Sequence, residues 1–175
     1  MELSLVQFIL MITAYAVPMY FANATPLLFF KYHSKIPIDF GKKIGKERIF
    51  GKGKTWLGTE IGIIFGFTAG IIFAIVFSET LLLIPNYFSL AGLLAVGAVT
   101  GDLAKSFLKR RIGIESGEMW LFADQLDFVA GGFILSLAAR IPEIGIVTVI
   151  VVATVFIHIL TNFAAFKMKI KKVPW

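Results

Sequence analysis

The sequence predicts an all-α integral membrane protein: a bundle of five transmembrane helices with its N-terminus outside and its C-terminus cytoplasmic. Two observations carry this reading. First, five hydrophobic stretches lie at roughly 4–30, 56–78, 87–104, 120–139 and 144–166. A helix needs ~20 residues to cross a hydrocarbon core of ~30 Å, and the stretches match that length, with 87–104 the shortest. Second, 16 of the 17 Lys and Arg residues fall on one side when the stretches are threaded through a bilayer. Segments 31–55, 105–119 and 167–175 hold eight, four and four of them, and the opposite side holds Arg140 alone. Cytoplasmic loops are enriched in Lys and Arg, so the basic side is cytoplasmic. Residues 1–175 then form a single transmembrane domain with one basic cytoplasmic loop at about 31–55 and a second at about 105–119.

Composition points the same way. The chain is 58% hydrophobic and 16% charged, with a mean hydropathy of +0.85, whereas soluble domains carry about 25% charged residues. The stretches do not alternate as the ~10-residue strands of a membrane barrel would. The net charge of +6 fits juxtamembrane loops facing anionic lipid or anionic substrate, and no nucleic acid is expected. Cysteine is absent, which excludes disulfides and thiol chemistry.

Taken in order, the first stretch carries Pro18, Asn23, Thr25 and Pro26 towards its cytoplasmic half. Proline in a spanning helix frees backbone carbonyls that neighbours or water must satisfy. Asn23 is a candidate lining residue of a polar cavity and a candidate substrate contact. Ala22-Asn23-Ala24 imitates a signal cleavage site, but no base precedes Lys31 and signals begin positively charged, so cleavage is not expected. Loop 31–55 mixes eight bases with Gly41, Gly45, Gly51 and Gly53 and with apolar Ile36, Ile38, Phe40, Ile44, Ile49 and Phe50. That mixture predicts partial order against the bundle or the membrane surface.

The second stretch spaces Gly58, Gly62, Gly66 and Gly70 four apart, a smooth ridge on which another helix can pack closely. Glu60, just inside its cytoplasmic end, is an ionisable group at a membrane edge and so merits attention. In the last stretch Thr154, His158, Thr161 and Asn162 share one helical face, expected to point into the bundle. His158 and His33 read as hydrogen-bonded structure and stay outside the site.

The chemistry gathers at the cytoplasmic boundary. Asp102 lies near the inner end of the third stretch, and Asp124 and Asp127, three apart, share one face at the inner start of the fourth. Between them runs Lys105-Ser106-Phe107-Leu108-Lys109-Arg110-Arg111. Converging carboxylates repel unless a cation lies between them. Mg²⁺ suits, because it takes oxygen ligands and accompanies substrate phosphates; the flanking bases would hold the rest of a polyphosphate. A second candidate is Gly51-Lys52-Gly53-Lys54-Thr55. A P-loop needs a glycine where Arg48 stands, so that motif fails. A glycine-rich turn with two lysines at a helix start remains, and it can favour an anion.

These residues resemble a known signature. Gly101-Asp102-Leu103, Ser106-x-x-Lys109-Arg110 and Asp124-Gln125-Leu126-Asp127 are similar to the motifs of membrane CTP:phosphatidate cytidylyltransferases. In the broader signature an arginine stands at the position of Gln125. Nearly the whole chain is more similar to the archaeal branch, the CDP-archaeol synthases, most specifically in the run from Phe50 to Gly58.

The resemblance implies cytidylyl transfer from CTP to an unsaturated ether-linked phosphatidate analogue, giving a CDP-lipid and pyrophosphate, with Mg²⁺. The implied roles are Asp102, Asp124 and Asp127 as metal ligands, with Asp124, Asp127 and Lys109 catalytic. Lys52, Lys54, Thr55, Lys105, Ser106, Arg110 and Asn23 are the implied substrate contacts. The expected partners are CTP, the lipid phosphate and membrane lipids, and the expected place is the cell membrane with the active site on the cytoplasmic side.

Three rival classes fit the sequence less well. A CDP-alcohol phosphotransferase needs Asp-Gly-x-x-Ala-Arg after its first Asp-x-x-Asp, and nothing like it follows Asp127. A membrane prenyltransferase needs two separated Asp-rich motifs, and one Asp-x-x-Asp is present. A small transporter or channel subunit is the alternative from outside the enzymes. It would account for the polar face around His158 but not for charge crowded at one boundary.

Overall fold

The computed structural model describes residues 4–29, 36–115, 118–120 and 122–168. It contains α1 (Leu5–Leu28), a small hairpin of β1 (Lys43–Ile44) and β2 (Glu47–Arg48), α2 (Trp56–Val76), the short α3 (Glu79–Leu83), α4 (Tyr87–Arg111), α5 (Ala123–Ser136) and α6 (Ile144–Lys167). Four helices, α1, α2, α4 and α6, are long and apolar enough to cross a membrane. Outward faces are apolar as well: Ile9 of α1, Ile64 and Ile75 of α2, and Phe156 and Leu160 of α6 are all more than half exposed. That is how a helix reads when its surroundings are lipid.

Expectation and structure differ over the fourth stretch. α5 has 14 residues, about 21 Å at 1.5 Å per residue, and is too short to span by itself. It starts late because Phe122 adopts φ +62°, and it ends early because the chain turns after Ser136. It nevertheless runs antiparallel to α4 along the bundle. At one end Asp124 meets Lys105 and Lys109; at the other Arg140 donates to the Leu83 carbonyl (2.9 Å), just before α4 begins. A second difference concerns the basic segment expected as a loop from 105. Residues through Arg111 continue α4 as helix, and Lys109, Arg110 and Arg111 occupy its last turn, where cations complement the helix dipole.

The proline in α1 is accommodated as bilayer physics requires. Pro18 cannot donate to the carbonyl of Ala14, and the Tyr87 hydroxyl donates to that oxygen instead (2.8 Å, fully buried). The ridge in α2 packs within the chain. A methyl group added at Gly62 or Gly66 would come within 2.8 Å and 2.7 Å of the α1 carbonyls of Ala22 and Pro18, and at Gly70 within 2.8 Å of Ala91 of α4. A second close crossing joins α4 to α5. Gly97 and Gly101 face the backbone of Gly131, Gly132 and Asp127, with no room for a side chain between them. Van der Waals contact of this kind is what draws helices together where no water is displaced. Buried Tyr15, Met19, Leu94, Ala95 and Phe128 fill the centre.

Candidate active site

At the end of the bundle where α4 finishes and α5 starts, a cavity of about 440 Å³ opens. Its walls come from five helices. α1 gives Ala22, Asn23 and Pro26; the turn before α2 gives Gly53, Lys54 and Thr55; α4 gives Val99, Asp102 and Lys105; α5 gives Asp124 and Asp127; α6 gives His158. The volume lies in the range of small-molecule sites, and the lining is apolar towards the membrane and charged towards the loops.

The charged part is a closed set of carboxylates and ammoniums. Lys105 Nζ lies 2.9 Å from Asp124 Oδ1, 2.9 Å from Asp127 Oδ2 and 3.5 Å from Asp102 Oδ1. Lys54 pairs with the other oxygen of Asp102. Lys109 Nζ, almost buried, lies 3.0 Å from Asp124 Oδ2 and also donates to the Glu118 carbonyl. Backbone amides complete the set, with Trp120 N–H donating to Asp124 and Phe128 N–H to Asp127, each at 2.7 Å. Three acids and three lysines thus neutralise one another, with Asp127 and Lys109 nearly buried and the other four partly exposed to the cavity; an unpaired charge at Asp127 would be costly.

This geometry bears directly on a divalent cation. Among the described residues no three acidic or histidine side chains surround a single metal position. The three aspartates instead surround the Lys105 ammonium, which stands where a cation would. The donor set is all oxygen, the chemistry Mg²⁺ prefers, while the position between the three carboxylates is taken by Lys105.

The other anticipated residues divide. Asn23, Lys54, Thr55 and Lys105 line the cavity; Lys52, Ser106, Lys109 and Arg110 do not. Lys52 is exposed and Ser106 is buried within the bundle. Arg110 is buried because its guanidinium donates to the Ile114 carbonyl and packs under Gly51. Thr55 spends its hydroxyl as the N-cap of α2, accepting from Gly58 N–H (3.2 Å), which fixes Lys54 one residue before the cap. Glu60 is exposed and outside the cavity.

His158, expected as hydrogen-bonded structure outside the site, lines the cavity, its ring 6.3 Å from that of Phe128. Of its helical face, Thr154 is buried and 2.7 Å from the Tyr20 hydroxyl, whereas Thr161 is exposed. His33 lies outside the described residues.

Sequence reasoning missed Asp39, whose side chain is fully buried in the loop before α2. Burial opposes its ionisation, but the Arg48 guanidinium and the amides of Gly41 (2.9 Å) and Phe50 (3.2 Å) outweigh it and hold the carboxyl below the ordinary aspartate range. The available signal was its rarity, since residues 31–55 contain two acids among eight bases. Arg111 was missed too: it donates to the carbonyls of Ile44 and Arg48 (3.0 Å each) and so docks the hairpin on α4.

Comparison with known proteins adds three findings. The family profile of CarS-like CDP-archaeol synthases matches residues 5–175. Curated proteins named CDP-archaeol synthase are similar along most of their length. The one from Thermofilum pendens is 38% identical, covering 92% of this chain and 78% of its own. That from Methanoculleus marisnigri is 39% identical, covering 91% and 99%. A solved structure described as an intramembrane enzyme for archaeal membrane lipid biosynthesis superposes with a TM-score of 0.75 at 31% identity, covering 86% of this chain and 91% of that one.

Proposed function

Since the chain belongs to the CDP-archaeol synthase family, we propose that the cavity is where CTP meets a membrane-held lipid phosphate. A phosphate oxygen of the ether lipid attacks the α-phosphorus of CTP. The bond from that phosphorus to the bridging oxygen of the β-phosphate breaks, pyrophosphate leaves, and a CDP-lipid remains. The nucleophile is already an anion, so the reaction asks mainly for in-line positioning and charge neutralisation. The observation that carries this reading is the neutral cluster of Asp102, Asp124, Asp127, Lys54, Lys105 and Lys109 on the wall of a cavity that is apolar on its other side.

Each residue has a role that follows from where it stands. Lys54 and Lys105 exchange their carboxylate partners for triphosphate oxygens when nucleotide enters. Lys109 keeps Asp124 oriented from below. Asp124 and Asp127, with Asp102 beside them, would hold Mg²⁺, which when bound supplies charge neutralisation at the α-phosphate and the leaving pyrophosphate. Asn23 offers an amide to the lipid headgroup from α1.

The tails have a place alongside. A groove of about 310 Å³ lies between α1 and α6, lined by Ile12, Ala16, Val17, Tyr20, Ile150 and Ile157, and a layer of rings links its Tyr20 to His158 of the cavity. In that layer Tyr20 meets Phe128 edge-on at 5.2 Å, and Phe128 adjoins His158.

The same reading sets the topology. The short α5 with its flanking turns acts as a fifth crossing, which leaves the N-terminus outside and the active site at the cytoplasmic face of the cell membrane, as the basic loops favour. The alternative of a transporter or channel subunit finds no support in the comparisons.

Nucleotide-dependent thermal stabilisation tests the assignment. CTP with Mg²⁺ is expected to raise the unfolding temperature of the purified protein well above the effect of ATP with Mg²⁺. Equal shifts, or none, would count against a cytidine nucleotide site.

A further inference from the structure

We propose that Asp39 is a positioning residue for the nucleotide: without lining the cavity, it holds the loop that presents Lys54 and Thr55. The inference rests on the proposed reading of Lys54 as a contact of the triphosphate. A fully buried carboxylate is expensive unless paired, and this one lies just ahead of residues 40–47, which are all exposed. Its partners explain its place. It receives the Gly41 amide ahead of β1, the Arg48 guanidinium at the end of β2, and the Phe50 amide beyond it. One side chain therefore closes both ends of the hairpin onto a single point.

From that point the fixation passes to the cavity wall in two ways. The neighbouring Ile38 N–H donates to the Lys54 carbonyl (3.0 Å), Trp56 N–H donates to the Ile36 carbonyl (3.2 Å), and Pro37 bridges Thr55. On the other side, Phe50 leads into Gly51, whose φ of +86° turns the chain over Arg110, where an added methyl group would meet Nε at 3.2 Å. Lys54 thus reaches Asp102 from a strap whose two strands are tied together at Asp39. Removing the carboxylate frees the strap while leaving the helical core and the lipid groove untouched, so the loss should fall on nucleotide binding.

The test compares Asp39→Ala, Asp39→Asn and Lys54→Ala in the full-length, detergent-purified protein, each checked for a single monodisperse species. KM for CTP and KM for the lipid phosphate are measured separately, along with the CTP-induced thermal shift. Asp39→Ala is expected to raise KM for CTP about tenfold and to abolish most of the CTP-induced shift, as loss of several charge-assisted hydrogen bonds would. KM for the lipid should stay within about twofold. Asp39→Asn keeps one acceptor oxygen, enough for the Gly41 or the Phe50 amide but not both, and loses the charge, so it should fall between. Equal changes in the two KM values, or none in either, would overturn the proposal. If Lys54→Ala leaves KM for CTP unchanged, the reading of the loop itself fails and the proposal with it; if Lys54→Ala weakens CTP and both Asp39 variants are silent, only the positioning role is lost.

Discussion

Lys105 is the side chain on which the carboxylates of the site converge. In the structure its ammonium lies among Asp102, Asp124 and Asp127, where three carboxylates would otherwise repel. Truncation should therefore do more than remove a substrate contact. Lys105→Ala leaves Asp127, whose side chain is 5% exposed, without its cation, and the expected loss of stability is about 3 kcal/mol. Mg²⁺ or Mn²⁺ added without nucleotide should recover more of the unfolding temperature in the variant than in the wild type, because the vacated position suits an oxygen-bound cation. A variant as stable as the wild type and indifferent to divalent ions would show that the carboxylates do not depend on a central charge. The three aspartates were legible in the sequence because acids at a membrane edge stand out against apolar helix. Asp39 was not, because its effect depends on amides and a guanidinium brought together by the hairpin, and no spacing rule encodes that.

At the scale of elements, the site depends on how closely α4 and α5 approach. Gly101 faces the carbonyl of Asp127 across the crossing, so the signature glycine next to Asp102 also sets the distance between the aspartate-bearing helices. Gly101→Ala forces backbone apart from backbone, and overpacking of this kind costs about 1–3 kcal/mol. Transfer activity is expected to fall with it. Gly92→Ala on the same helix is the control: its added methyl group would meet only the Phe67 ring at an ordinary 3.7 Å, and removing a mid-helix glycine gains roughly 0.5–1 kcal/mol. Thermal unfolding of the two variants checks the contrast, and similar outcomes would remove the crossing as the determinant. The four-apart ridge of α2 was readable because its period is regular. The Gly97 and Gly101 pair has the same spacing, but its partner, Gly131-Gly132, lies on another helix, and only the fold shows that they meet. The length of α5 was not readable either, since hydropathy continues through the turn that ends it.

For the whole molecule, segregation of charge was the most legible feature, and it brought the polar chemistry to one end of the bundle. The fold adds that α1, α2, α4, α5 and α6 converge there on one cavity, and that the loop holding the buried Asp39 contributes Lys54 and Thr55 to its wall. The family membership of the chain agrees with the chemistry that this arrangement suits. The central claim is that aspartates at the meeting of α4 and α5 carry cytidylyl transfer from CTP to a lipid phosphate. It is tested most directly by following α-phosphorus-labelled CTP into lipid with purified wild-type protein and with Asp127→Asn. Labelled CDP-lipid should form in the first and fall by about 10²–10³-fold in the second, the scale seen when a preorganised electrostatic group is lost, while the variant remains folded. Wild-type rates from folded Asp127→Asn protein would contradict the account.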